Sequence, residues 1–190
     1  MEASTRIRLL AAAERILVEQ GVNALSVRRI GDRAGLNPTL VTYHFKSILK
    51  LLDELCSLNL DPILAEWRKI DPERMAGRTL DELLHAWLEP MLHPAAFTPG
   101  GRALIVLDEI ASHGEPALQA KVLGAMDEFV LRLLATMAPL VPQLPEDALR
   151  ARLRFISAAV LGPPPRIHSG GSGLDELGYL VPFARAALTG

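Results

Sequence analysis

The densest set of groups able to do chemistry lies in residues 25–47, LSVRRIGDRAGLNPTLVTYHFKS. Hydroxyls (Ser26, Thr39 and Thr42 among them), an amide (Asn37), a phenol (Tyr43), an imidazole (His44) and cations (Arg28, Arg29 and Lys46 among them) crowd this stretch, with Leu40 as an apolar neighbour. What they offer is hydrogen bonds and positive charge, the means by which proteins hold phosphates and touch base edges. Arg28 and Arg29 suit phosphates or a groove edge, Lys46 suits a phosphate, and Thr39, Leu40 and Thr42 suit bases or plain solvent. Elsewhere the chemistry is sparse. There is no Walker sequence, GxGxxG or HExxH, and GGSG at 170–173 fails the nucleophile-elbow pattern because Leu174 stands where glycine is required. His85, His93 and His113 lack metal-site spacing, and the acid pairs Asp108-Glu109, Asp127-Glu128 and Asp175-Glu176 read as solvated helix faces. An enzyme is therefore not expected, nor a metal or cofactor.

Groups of this kind are useful only if rigid elements aim them outward. In the first segment Ile7, Leu10, Ala13 and Leu17 make one apolar stripe on a helix that ends at Gly21. Ser26 can cap a short second helix with Val27, Ile30 and Ala34 inside, stopping at Gly35. Asn37-Pro38 then supplies a cap and a first-turn proline for a two-turn helix, TLVTYHF. Two short helices joined by a tight glycine-containing turn form a helix-turn-helix, whose second helix enters the major groove. Leu10, Leu17, Ile30, Ala34, Leu36, Val41 and Phe45 are the inner faces expected to hold it together.

From Ser47 onward helices alternate with proline and glycine breaks. A fourth helix runs towards a break at Asp61-Pro62, with further helices expected near 62–69, 79–92, 101–113, 115–138, 145–161 and 174–188. Pro182 should kink the last helix or delay its start. The stretch 162–173, GPPPRIHSGGSG, reads as an exposed mobile loop that includes His168. Strand signals are absent. The fold class is all-α with about nine helices: a three-helix head, residues 1–47, and a helical body, residues 48–190.

A net charge of -2 over 190 residues argues against nucleic acid until it is divided along the chain. Residues 1–50 hold eight bases and four acids; the rest hold twelve bases and eighteen acids. A basic head on an acidic body restores the nucleic-acid reading and would orient the protein on DNA. The 49% apolar content excludes a disordered chain, and the single cysteine, Cys56, excludes a disulfide framework and a Cys-rich zinc site. No uninterrupted run of ~18 apolar residues and no signal peptide is seen, so a cytoplasmic protein without a membrane partner is expected.

At residues 25–47, preceded by an amphipathic helix ending in EQG, the sequence resembles the tetracycline-repressor-like (TetR) family of transcriptional regulators. Ser26, Ile30, Ala34, Gly35, Leu36, Tyr43, Phe45 and Ser47 match that family's pattern. Within it, Tyr43 reads as a phosphate contact rather than a packing aromatic. The resemblance implies a repressor that binds a palindromic double-stranded DNA operator as a homodimer and is released by a small apolar effector. It implies a dimer interface on the last two helices, for which Leu149, Leu153, Ile156, Val160, Leu177, Leu180, Ala184 and Leu188 are the candidates. It also implies a pocket in the middle helices, with Trp67, Trp87, Met91, Phe97, His113, Met126 and Phe129 as candidate lining. A helical protein-binding adaptor and an effector-independent DNA-binding regulator are the alternatives. Two departures stand out. Ile48-Leu49 replace the usual lysine and glutamate and are expected to pack against the head. Gly31 replaces alanine inside a helix, at a cost of about 1 kcal/mol in propensity, implying a looser head.

Overall fold

Helix periodicity translates directly into architecture. The computed structural model describes residues 2–98, 100–161 and 173–190. Among them the chain forms nine α-helices: α1 Glu2–Gln20, α2 Val27–Ala34, α3 Thr39–Phe45, α4 Ile48–Trp67, α5 Leu80–Leu88, α6 Ala103–His113, α7 Pro116–Met137, α8 Glu146–Leu161 and α9 Gly173–Thr189. Short 3-10 turns cover Val22–Ala24, Glu89–Leu92 and Ala138–Leu140. An isolated bridge between Pro94 and Arg102 is the one β-type pairing among the described residues. Most of the stretch read as a mobile loop, residues 162–172 with His168, lies outside the described residues.

The expected break at Asp61-Pro62 does not occur, because Pro62 sits inside α4. A mid-helix proline costs about 3 kcal/mol through its lost N–H and its clash with the preceding turn. Ile63 and Trp67, both fully buried beyond it, contribute about 1.5–3 kcal/mol each by leaving water, which keeps the helix intact. Pro182 is likewise carried within α9, flanked by buried Val181 and Ala184, and does not delay the helix start.

Packing divides the chain into two compact units, residues 1–61 with 94–123, and residues 62–93 with 124–190. In the first, α1 packs on α2 and α6, and α2 packs on α3. Leu9, Leu10, Ala13, Ile16 and Leu17 of α1 meet a core that includes Ile30, Val41, Phe45, Leu51 and Leu55. Ile7, read as the start of the buried stripe, is instead 52% exposed, and Leu9 and Ile16 take the inner positions. In the second unit α9 packs on α5 and α8. Its core includes Leu83, Trp87, Phe129, Leu133, Leu149, Leu153 and Leu188.

Candidate nucleic-acid interface

The first unit builds its outward-facing helix from the caps inward. Ser26 accepts a hydrogen bond from the Arg29 amide at 3.1 Å and opens α2; Gly35, left-handed at φ 63°, closes it. Two residues on, Asn37 Oδ1 accepts from the Thr39 amide at 3.0 Å and the Thr39 hydroxyl at 2.8 Å. That bond satisfies one of the free amides at the start of a helix. Val41 and Phe45, one turn apart, are buried and fix the inner face of α3. The other side of the cylinder is thereby turned to solvent, where Thr39, Thr42, Tyr43 and Lys46 are exposed, Tyr43 to 62%.

Gly31 gives this arrangement its closeness. A Cβ at that position would stand 2.7 Å from Pro38 Cα and 2.9 Å from Pro38 Cγ, so α2 and the start of α3 approach more tightly than any side chain permits. The expectation of a looser head is corrected: the glycine is an access point for Pro38, and the lost helix propensity accompanies closer packing.

The sequence candidates do not all share one face. Arg28 joins the exposed set, its side chain 88% exposed and only loosely paired with Asp32 at 3.7 Å. Arg29 is drawn back to Gln20, to whose side-chain oxygen it donates. Leu40 and His44 are half-buried; the His44 ring stands edge-on to Tyr43, with centroids 5.0 Å apart. Lys46 ends α3 at φ 67°, a left-handed conformation that costs a non-glycine residue roughly 1–2 kcal/mol. Its ammonium donates to the Tyr43 carbonyl at 3.4 Å.

Several partners in this unit carry no sequence signal. Arg6 and Arg8 of α1 reach the ends of α3 and α2: Arg6 donates to the His44 carbonyl at 3.0 Å and to the Glu54 carboxylate, and Arg8 donates to the Ala34 carbonyl at 2.7 Å. Arg33 pairs with Glu19. Thus Arg6, Arg8, Arg29 and Arg33, half of the eight cations in residues 1–50, serve the protein's own frame. Glu14, fully buried, accepts from Asn59 Nδ2 at 3.0 Å, the Phe97 amide at 2.7 Å and the Thr98 hydroxyl at 2.8 Å. Such a carboxylate is tolerated only because both of its oxygens find donors. Glu109 of α6 accepts from the Val22 amide at 2.9 Å in the turn before α2.

The start of α4 behaves differently from its expected role. Leu49 is 40% exposed and Ile48 half-buried, so the pair is not the fully packed join to the head that was expected. Ser47 instead caps the helix, accepting from the Lys50 amide at 3.2 Å. Deeper in α4, the Lys121 ammonium 2.7 Å from Asp53 holds that carboxyl below its ordinary range. Burial pushes the Cys56 thiol up to about 11, so it stays a neutral thiol.

Residues 9–55, which span α2, α3 and all but the first two turns of α1, match the profile of the bacterial regulatory proteins of the tetR family. Over these residues the chain is similar to the TetR family. It is 30% identical over 83 residues to the HTH-type transcriptional repressor KstR2 of Rhodococcus jostii (strain RHA1). That match covers 44% of this chain and 41% of the relative, so the chain spans about two-fifths of the relative's length. The fold agrees over almost the whole chain with two solved structures. The probable transcriptional regulatory protein RHA5900 superposes with a TM-score of 0.74 at 20% identity, covering 97% of this chain and 99% of that one. The TetR family regulator PfmR of Thermus thermophilus gives 0.63 at 19% identity, covering 96% and 95%.

The candidates for pocket and interface fall as follows. Trp67 and Phe129 stack at 3.8 Å with planes 7° apart, and the Trp67 indole N–H donates to the Trp87 carbonyl at 2.9 Å. With Met91 they are buried core, while Met126 is half-buried. Phe97 is half-buried, and His113 is exposed and faces Glu109 at 3.4 Å. The stripe expected at the dimer interface faces inward within the single chain. Leu149, Leu153, Ile156, Val160, Leu177, Ala184 and Leu188 are at most 7% exposed within the single chain, and Leu180 is half-buried. Periodicity had marked the face that each helix turns to its own core. The large apolar residues left outside on these helices are Phe155, Tyr179 and Phe183, at 64%, 81% and 52% exposure.

Proposed function

We propose that the chain is a sequence-specific transcriptional repressor, with residues 1–47 as a DNA-binding head and 48–190 as a body for dimerisation and effector binding. The observation that carries this reading is the outer face of α3: Thr39, Thr42, Tyr43 and Lys46 exposed together, with Arg28 of α2 free to reach a phosphate, over a helix held by Val41 and Phe45. A two-turn helix with hydroxyl, phenol and ammonium groups on one side fits a major groove, where Tyr43 and Lys46 would take phosphates and Thr39 and Thr42 base edges. In this reading Ser26 and Asn37 act as caps, and Arg29, Leu40 and His44 as supporting residues.

The operator is a palindrome contacted by two copies, with recognition helices about 34–36 Å apart. Phe155 of α8 and Tyr179 and Phe183 of α9 support a homodimer through these helices, since three such large aromatics exposed on one chain are surplus for a monomer. A small apolar effector would lower DNA affinity by binding better to a form whose heads no longer match the groove repeat. The support for the effector is the family resemblance.

Selection of bound duplexes from a random-sequence library by the full chain tests the reading. Enrichment of an inverted repeat, lost in Phe183→Glu together with the dimer in light scattering, is expected. Enrichment of a single unrepeated site, or of none, would overturn it.

A further inference from the structure

Arg6 occupies an unusual place among the head's cations. It stands on α1, outside the helix-turn-helix, and its half-buried guanidinium joins three elements. Nε, at 3.0 Å, and Nη2 hold the two oxygens of Glu54 on α4. Nη1 donates to the His44 carbonyl at 3.0 Å, in the last turn of α3. The same group lies over the Phe45 ring, 4.5 Å from its centroid. Two residues along, Arg8 does the corresponding work for α2, donating to the Ala34 carbonyl at its C-terminus. Carbonyls at a helix end lack partners and carry the negative end of the helix dipole, so a guanidinium there is held by charge as well as by hydrogen bonds.

A planar fork that reaches a carboxylate on one edge and a carbonyl on the other fixes angles as well as distances. α3 has seven residues, too few to hold its own orientation, and Lys46 turns the chain sharply before α4 begins. We propose that Arg6 is a positioning residue for DNA recognition: through Glu54 and the His44 carbonyl it sets the angle of α3 against α4, and so where Thr39, Thr42 and Tyr43 point. It is not itself a phosphate contact. This rests on the proposed DNA reading.

The two roles for Arg6 differ in sign at its partner. If Arg6 positions α3, Glu54→Gln weakens DNA binding as Arg6→Met does, because both release the same fork. If Arg6 meets a phosphate, Glu54→Gln frees it from a competing acid and tightens binding. The experiment measures fluorescence anisotropy of full-length wild type, R6M, R6K and E54Q on the selected duplex and on a scrambled one, at several salt concentrations, with amide exchange of residues 39–46 alongside. A fall of tenfold or more on the selected duplex is expected for R6M and E54Q, with the scrambled duplex changed less than threefold. The slope of log affinity against log salt stays that of wild type, and R6K recovers part of the loss. Loss of about one unit of salt slope in R6M, tighter binding by E54Q, or full recovery in R6K would overturn the proposal. If wild type shows no preference for any duplex, the DNA reading fails separately. Exchange then decides the positioning role: faster exchange across α3 in R6M and E54Q supports it, and unchanged exchange overturns it.

Discussion

Replacing Gly31 by alanine sets two effects of opposite sign against each other. In a solvent-exposed helix the change stabilises by about 0.5–1 kcal/mol, through propensity and a stiffer unfolded chain. Here the new Cβ would lie 2.7 Å from Pro38 Cα, whereas carbon atoms rest at ~3.5–4.0 Å. The obstructing atom is backbone, so no side chain can rotate away; the start of α3 must retreat by most of an ångström or α2 must bend. Overpacking of this kind costs typically 1–3 kcal/mol, which outweighs the propensity gain over most of that range and leaves a net loss of up to about 2.5 kcal/mol. For a chain of this size that is a fall in melting temperature of up to roughly 10 °C. Differential scanning calorimetry gives the stability, and anisotropy on the selected duplex shows whether the displaced α3 still reads DNA; a weakening of fivefold or more is expected. A variant that melts higher than wild type and binds equally well would refute the reasoning, for it would show that α2 and α3 have room between them.

Other perturbations separate stability from recognition. Lys46→Gly relieves the left-handed backbone at φ 67° but loosens the unfolded chain, so chemical denaturation should shift by less than about 1 kcal/mol. Its DNA affinity should nonetheless fall, with about one unit lost from the salt slope. Glu14→Leu takes the acceptor from the Phe97 amide, the Thr98 hydroxyl and the Asn59 amide at a largely buried site and should lower stability by about 3 kcal/mol in a urea titration, Glu14→Gln by clearly less. The Glu82 carboxyl is held at about 2, against an ordinary 4.5, by the Thr79 amide first and then by Arg78 and the Thr79 hydroxyl. Its folded value is depressed, so its contribution is full above pH 4.5 and is lost as pH falls towards 2. Melting curves of wild type and Glu82→Gln should accordingly converge over that window. Cys56, buried with its thiol pushed up to about 11, should resist alkylation at about pH 7.5 until the protein is unfolded.

What the sequence made legible was whatever local rules govern. Ser26 and Asn37 announce their helices because capping is a matter of neighbouring residues, and the structure has both bonds. Val41 and Phe45 face inward because they stand one turn apart. Where tertiary packing decides, the reading failed in identifiable ways. Pro62 marks a break by local rules, but Ile63 and Trp67 are buried beyond it. The apolar stripes of α8 and α9 show which face is buried without showing against what, and the structure turns them into the chain's own core. Gly31 looks like a weakness until Pro38 is seen against it. Arg6 counts as a free cation in any charge sum, although its fork is already occupied by Glu54 and His44. The +4 balance of the first fifty residues therefore overstates the charge available to DNA.

The central claim is that the outer face of α3, and not general basicity, recognises DNA. The most direct measurement is the affinity of the full chain for its selected duplex against a scrambled duplex of equal length, for wild type and for Thr39→Ala/Thr42→Ala. The account predicts a wild-type preference of at least about a thousandfold that collapses in the double variant, while affinity for the scrambled duplex and its salt slope stay unchanged. A preference that survives loss of both threonines, or a wild type that binds both duplexes alike, would contradict it.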